Sequence, residues 1–155
     1  MKTTLKKYLI IESIFIVLVF LFNLINTNST YCYSGRGADS LTSATWMLKT
    51  LNGNDVVKEK AGKEIPYLTM NTKENTVFGS TGCNTINGTI IVSGDEIRFK
   101  DMSMTKMFCD DANYEQDFVS YLFKDTGLNF KVENGFLTFY EQNKAVMSFE
   151  KKPLN

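Results

Sequence analysis

Residues 80–89 read "STGCNTINGT", and their thiol is the side chain best suited by type to do chemistry. Cys83 stands between Gly82 and Asn84, and an Asn-Gly pair, Asn87-Gly88, follows it. A cysteine in such a turn-like setting has three possible roles: nucleophile, metal ligand or half of a disulfide. A nucleophile needs an adjacent base or a lowered pKa. The chain contains no histidine, which removes Cys-His and Ser-His-Asp arrangements and imidazole metal sites together. Lys106 is the nearest candidate cation, and only if Cys109 lies beside Cys83. A metal site would have to combine Cys83 and Cys109 with Asp110 and Asp111. That set mixes soft thiolates with hard carboxylates and has no Cys-x-x-Cys spacing. A disulfide asks only for an oxidising compartment and a second thiol within reach.

Two further constellations have simpler readings. Asp110-Asp111 resembles half of a calcium site, but a helix N-cap uses the same residues. Met102, Met104 and Met107 suggest a soft copper site, but methionines in a strand more commonly fill packing gaps. The expectation is therefore no catalytic residue, no metal ligand and no cofactor.

The compartment is read from the N-terminus. Lys2, Lys6 and Lys7 precede an apolar run over residues 8–25, interrupted by Glu12, Ser13 and Asn23. A basic start before an apolar stretch is the pattern of a secretory signal. The run is close to the lower length limit for a membrane span, so an uncleaved anchor is the alternative. Residues 1–30 are thus expected to be a signal peptide or signal anchor, 31–43 a linker and 44–152 the folded domain. The protein is expected to be exported: periplasmic, secreted or anchored by residues 8–25, with no other membrane contact. From Ala38 onward there are thirteen basic and sixteen acidic residues, about −3 in net charge. With no cluster of positive charge to displace counterions from phosphate, nucleic-acid binding is not expected.

The elements that must position Cys83 are short strands separated by turns. In "TWMLKTLNG", Trp46, Leu48 and Leu51 are inward candidates before the break at "NGND". "YLTMNT" and "NTVFGST" form a hairpin across "KEN". "GTIIVSGDEIRFKD" is another, with Ile97 and Phe99 alternating against Arg98 and Lys100. "LNFKVENGFLTFYE" turns at Asn134-Gly135, a strong hairpin signal. In "KAVMSFEKK", Ala145, Met147 and Phe149 share one face, and Val146, Ser148 and Glu150 the other. One segment after residue 30 has helical period: Tyr114, Phe118 and Leu122 recur every four residues, flanked by Val119 and Phe123. Asp110, Asp111 and Asn113 are its N-cap candidates, and Gly127 its terminator. The fold class is α+β and mostly β, a curved antiparallel sheet or partly closed barrel with one covering helix.

Trp46 in a Trp-x-Leu opening, Gly82-Cys83-Asn84 followed by Asn87-Gly88, and Thr105-Lys106-Met107-Phe108-Cys109 in a Thr-x-Met-x-Cys slot occur in that order. Together with the closing "FLTFYE" they make the chain resemble the META domain, or HslJ-like, family, over about residues 45–149. The resemblance marks Trp46, Gly82, Asn84, Gly88, Thr105 and Met107 as motif positions. It implies an extracytoplasmic protein with no established enzymatic activity, in a family linked to heat response, antibiotic tolerance and virulence. Many members are lipoproteins. Here bulky Tyr31 precedes Cys32, where lipidation favours a small residue.

An exported chain without histidine, with two thiols in turn-like contexts, favours a Cys83–Cys109 disulfide in which Cys32 takes no part. The expected function is non-catalytic: binding a partner protein, peptide or apolar ligand in the cell envelope. The alternatives are an envelope structural or stress-tolerance module without a small ligand and, last, a thiol-dependent enzyme. Phe136 and Tyr140 are candidate surface aromatics. Trp46, Leu48, Phe78, Ile91, Phe99, Phe118, Leu122, Leu137 and Phe149 are the expected core.

Overall fold

The computed structural model describes residues 36–42 and 44–153. The signal or anchor expected over 1–30, and Cys32, lie outside the described residues. The first element among the described residues is a helix, α1 (Arg36–Thr42), in a segment read from sequence as linker. The helix within that linker has a physical reason. Leu41 is fully buried, and the carbonyl of Leu41 accepts the indole N–H of Trp46 at 2.9 Å. A buried tryptophan needs a partner for that N–H, and the short helix supplies it.

Nine strands follow among the described residues: β1 (Ala44–Leu51), β2 (Asn54–Asp55), β3 (Tyr67–Asn71), β4 (Thr76–Ser80), β5 (Thr85–Ser93), β6 (Glu96–Met104), β7 (Leu128–Glu133), β8 (Phe136–Glu141) and β9 (Lys144–Pro153). Helix α2 (Glu115–Leu122) lies between β6 and β7 in the chain. The strands make one antiparallel sheet in the order β2-β1-β3-β4-β5-β6-β7-β8-β9. β1 also pairs with β9, so the sheet curves until its ends meet. Hairpins explain the order. Asn134 and Gly135 both take positive φ, at 52° and 82°, the geometry of the tight turn joining β7 to β8.

The inner face carries Trp46, Leu68, Ile86, Ile97, Phe139 and Phe149, all fully or nearly fully buried. Phe118 and Leu122 of α2 are buried with them, so the helix turns its apolar stripe into the sheet. A chain of aromatic contacts runs through this core: Phe99 to Phe139 at 5.9 Å between ring centroids, Phe139 to Phe149 at 5.5 Å, and Phe149 to Phe118 at 6.2 Å.

Two expected core residues face outward. Phe78 is 50% exposed and Ile91 52% exposed. In β4 the inward position opposite Met70 belongs to Val77, and in β5 Ile90, opposite Phe99, points inward instead of Ile91. Both segments hold adjacent apolar residues, so alternation alone does not choose the face. Bulges shift the pattern elsewhere. Asp101, at φ 49°, is an extra residue in β6, where register breaks opposite Gly88, and Met102 and Met104 thereby pack against the core. In β9 a register shift opposite Phe139/Tyr140 buries both Val146 and Met147, leaving Ala145 exposed.

The ends of α2 also differ from expectation. The helix begins at Glu115, after an N-cap residue, Tyr114, whose side chain makes no capping bond. Asp110, Asp111 and Asn113 are upstream of that cap, and the first-turn charges are Glu115 and Asp117. The helix ends at Leu122, well before Gly127, where a Cβ would collide with the side chain of Glu96. No described helix is long and apolar enough to cross a membrane.

Candidate functional site

The turn after β4 is built from hydroxyls that cap backbone amides. Thr81 Oγ1 accepts from the amides of Asn84 at 2.8 Å and Cys83 at 3.3 Å, and Ser80 Oγ accepts from the amide of Gly82 at 3.1 Å. Gly82 takes φ 95°, and a Cβ on it would run into the carbonyl oxygen of Ala61. Its own carbonyl accepts from Lys63 at 2.8 Å. Position 82 therefore requires glycine on two counts, left-handed backbone and close approach. Gly88 has a packing reason alone: a Cβ there would strike the sulfur of Met102 and the carbonyl of Lys100 beside the β6 bulge.

The turn places Cys83 against Cys109, and the two form a disulfide with Cα atoms 6.1 Å apart. Asn84, only 2% exposed, ties the same two segments together without a covalent bond. Its Oδ1 accepts from the amide of Met107 at 2.6 Å and from Thr105 Oγ1 at 2.9 Å. Its Nδ2 donates to the carbonyl of Met107 at 3.1 Å. The side-chain amide thus pairs with the Met107 peptide much as a neighbouring strand would. Nδ2 also donates to both carboxylate oxygens of Glu115 at 3.1 Å, and Thr81 Oγ1 donates to Glu115 Oε2 at 2.5 Å. Glu115 makes no ion pair among the described residues.

The bridge and the Glu115 carboxylate border an open cleft of about 380 Å³ between residues 107–112 and the first turns of α2. Cys83, Met107, Phe108, Cys109, Ala112, Glu115, Gln116 and Val119 line it. Phe108 is 90% exposed and Met107 48% exposed. A phenylalanine is seldom left so open to water, and here it forms the lip of a concave surface.

The structure thus gathers Gly82, Cys83, Asn84, Thr105, Met107 and Cys109 at one site. Trp46 and Gly88 are elsewhere, in the core and at the bulge. Met102 and Met104 pack against the core, apart from Met107, whose sulfur lies 3.9 Å from Lys63 Nζ. Asp110 and Asp111 join no metal-binding cluster among the described residues. Phe136 and Tyr140 are on β8, outside the cleft. Sequence reasoning missed Glu115, Thr81 and Phe108. Of these, Phe108 had a signal: a large apolar residue in a polar stretch that belongs to neither the β6 alternation nor the α2 period. Burial, then nearby carboxylates, pushes the phenols of Tyr67 and Tyr121 above their ordinary range, so neither is an acid near neutral pH.

A family model, the META domain, matches residues 39–153. Three solved structures share the fold. A protein solved by NMR is 22% identical, covering 73% of this chain and 93% of its own, with a TM-score of 0.57. A second NMR structure, from Burkholderia xenovorans, is 18% identical over 77% of this chain and 88% of its own, with a TM-score of 0.55. The crystal structure of a DUF4847 family protein from Bacteroides vulgatus is 15% identical over 76% and 98%, with a TM-score of 0.51. No curated protein matches the chain.

Proposed function

The chain belongs to the META domain family, and on that premise we propose that it is a non-catalytic binding domain, exported to the cell envelope, that engages a partner protein or peptide through the Cys83–Cys109 cleft. One observation carries this reading. Phe108, almost fully exposed, is held at the mouth of a concavity by a disulfide on its next residue and by the Asn84 clasp on its previous one. Holding an apolar residue out in water has no benefit for folding, whereas an exposed aromatic on a backbone fixed at both neighbours lowers the ordering cost of association. The cysteines support the same reading. A disulfide suits an oxidising compartment, and bonded sulfurs are not available as a nucleophile.

The test is site-specific photo-crosslinking in intact envelopes, with the photoreactive residue at position 108 and a control at position 136. A discrete adduct at 108 that is absent at 136 is expected. Equal capture at both positions, or none at either, overturns the reading. Intact-mass analysis of the exported protein tests the leader: loss of residues 1–25 supports cleavage, and retention supports an anchor.

A further inference from the structure

The lining of the cleft is apolar except where Glu115 and Gln116 reach it. Among the described residues, Glu115 is its only charged side chain. The carboxylate is half-buried, and the partners found for it are neutral: the hydroxyl of Thr81 and the amide of Asn84. Those donors leave part of its acceptor capacity unused, since an ionised carboxylate offers about four lone-pair sites. Its negative charge has no cation within ion-pairing distance among the described residues, although four other ion pairs exist on the surface. Lys63 approaches Met107 at the rim but does not line the cleft. The same cleft is lined by the apolar side chains of Phe108 and Met107, and by Val119 one turn along α2 from the carboxylate.

We propose that the cleft takes a lysine or arginine side chain from a polypeptide partner, its charged head meeting Glu115 and its aliphatic stem lying against Phe108 and Val119. This rests on the binding reading above and names the chemistry of the partner. The match is one of charge and shape together. Long basic side chains bury their methylene stems on apolar surface while keeping the head at a polar group, and an aromatic face adds attraction for the cation. The positive end of α2 alone would repel such a head. Glu115, in the first turn, reverses that local sign. An apolar residue beside the basic one in the partner would cover Met107, so the recognised segment is basic and apolar in alternation.

Two probe peptides separate charge from shape: acetyl-Ala-Leu-Arg-Leu-Ala-amide and its citrulline analogue, which keeps the size and planar shape of the head and part of its N–H donors but has no charge. Each is titrated into the exported protein while backbone amide shifts of Gln116 and Val119 are followed by NMR. The arginine peptide is expected to saturate, and the citrulline peptide to bind about tenfold more weakly, the scale of one charge-assisted hydrogen bond. Added salt is expected to weaken the first and leave the second unchanged. In Glu115→Gln the arginine preference is expected to vanish. Equal affinity for the two peptides, or no shift with either, overturns the cationic proposal. The binding reading stands or falls separately, on capture at position 108. Because the peptide comparison uses the unaltered protein, a variant that fails to fold does not affect the outcome.

Discussion

Phe118 and Glu115 are three residues apart on the same short helix, yet they belong to regions held by different interactions. Phe118 is in the interior, where the aromatic chain from Phe99 to Phe149 and the buried aliphatics of the sheet pack without polar partners of their own. Glu115 is at the end where the turn after β4 meets residues 105–109, and there the contacts are a disulfide and a set of side-chain hydrogen bonds. The interior draws its stability from apolar area removed from water, which is additive and indifferent to direction. The disulfide end has little area to bury and fixes position instead, since covalent and hydrogen bonds are directional. A region that must hold an apolar residue in water, as this one holds Phe108, cannot rely on burial.

Four variants test that division. Phe118→Ala is expected to cost about 3–5 kcal/mol in a denaturant titration, through lost transfer energy and the cavity left behind. A loss below about 1 kcal/mol would place Phe118 outside the principal core. Replacing Cys83 and Cys109 together with alanine removes a cross-link spanning 26 residues and is expected to cost about 3–4 kcal/mol, chiefly by freeing the unfolded chain. The companion measurement is alkylation of unreduced, folded protein: rapid modification of Cys83 would show that the bridge is not formed.

Asn84→Ala is expected to cost about 2 kcal/mol, because the amide and carbonyl of Met107 lose a buried partner. Its effect on capture at position 108 is expected to exceed its effect on stability, since the clasp positions the lip. If capture is unchanged, the clasp serves folding alone. Phe108→Ser is expected to change stability by less than about 0.5 kcal/mol, as for an ordinary surface position, while abolishing saturation by the arginine peptide at Gln116 and Val119. A substantial stability loss would move Phe108 into the same class as Phe118 and end the distinction between the two regions.

Much of this was legible in the residues. Hairpins at Asn134-Gly135 and Gly94-Asp95 are written in turn chemistry that only a few residue types satisfy, and both are present. The four-residue recurrence of Tyr114, Phe118 and Leu122 marks a helix because no strand shows that period. The absence of histidine excludes whole classes of chemistry before any coordinates exist. These features are local, and local features depend on nearest neighbours in sequence.

What the sequence left open depends on register and on contacts between distant segments. Phe78 and Ile91 face water because strand pairing, not composition, decides which of two adjacent apolar residues turns inward. The bulge at Asp101 reassigns the faces of Met102 and Met104, and nothing in "FKDMSM" announces it. α1 was hidden in a polar, glycine-containing stretch because its fixed point is the indole N–H of Trp46, which reaches back to Leu41 only once the sheet has placed that ring. The cleft is the extreme case. Glu115 acquires its role from Thr81 and Asn84, more than thirty residues away in the chain. Hydrogen bonds of that reach exist only after the ring of strands has brought the turn and the helix together, because their geometry must be met within a few tenths of an ångström, and no pattern of residue types encodes that separation.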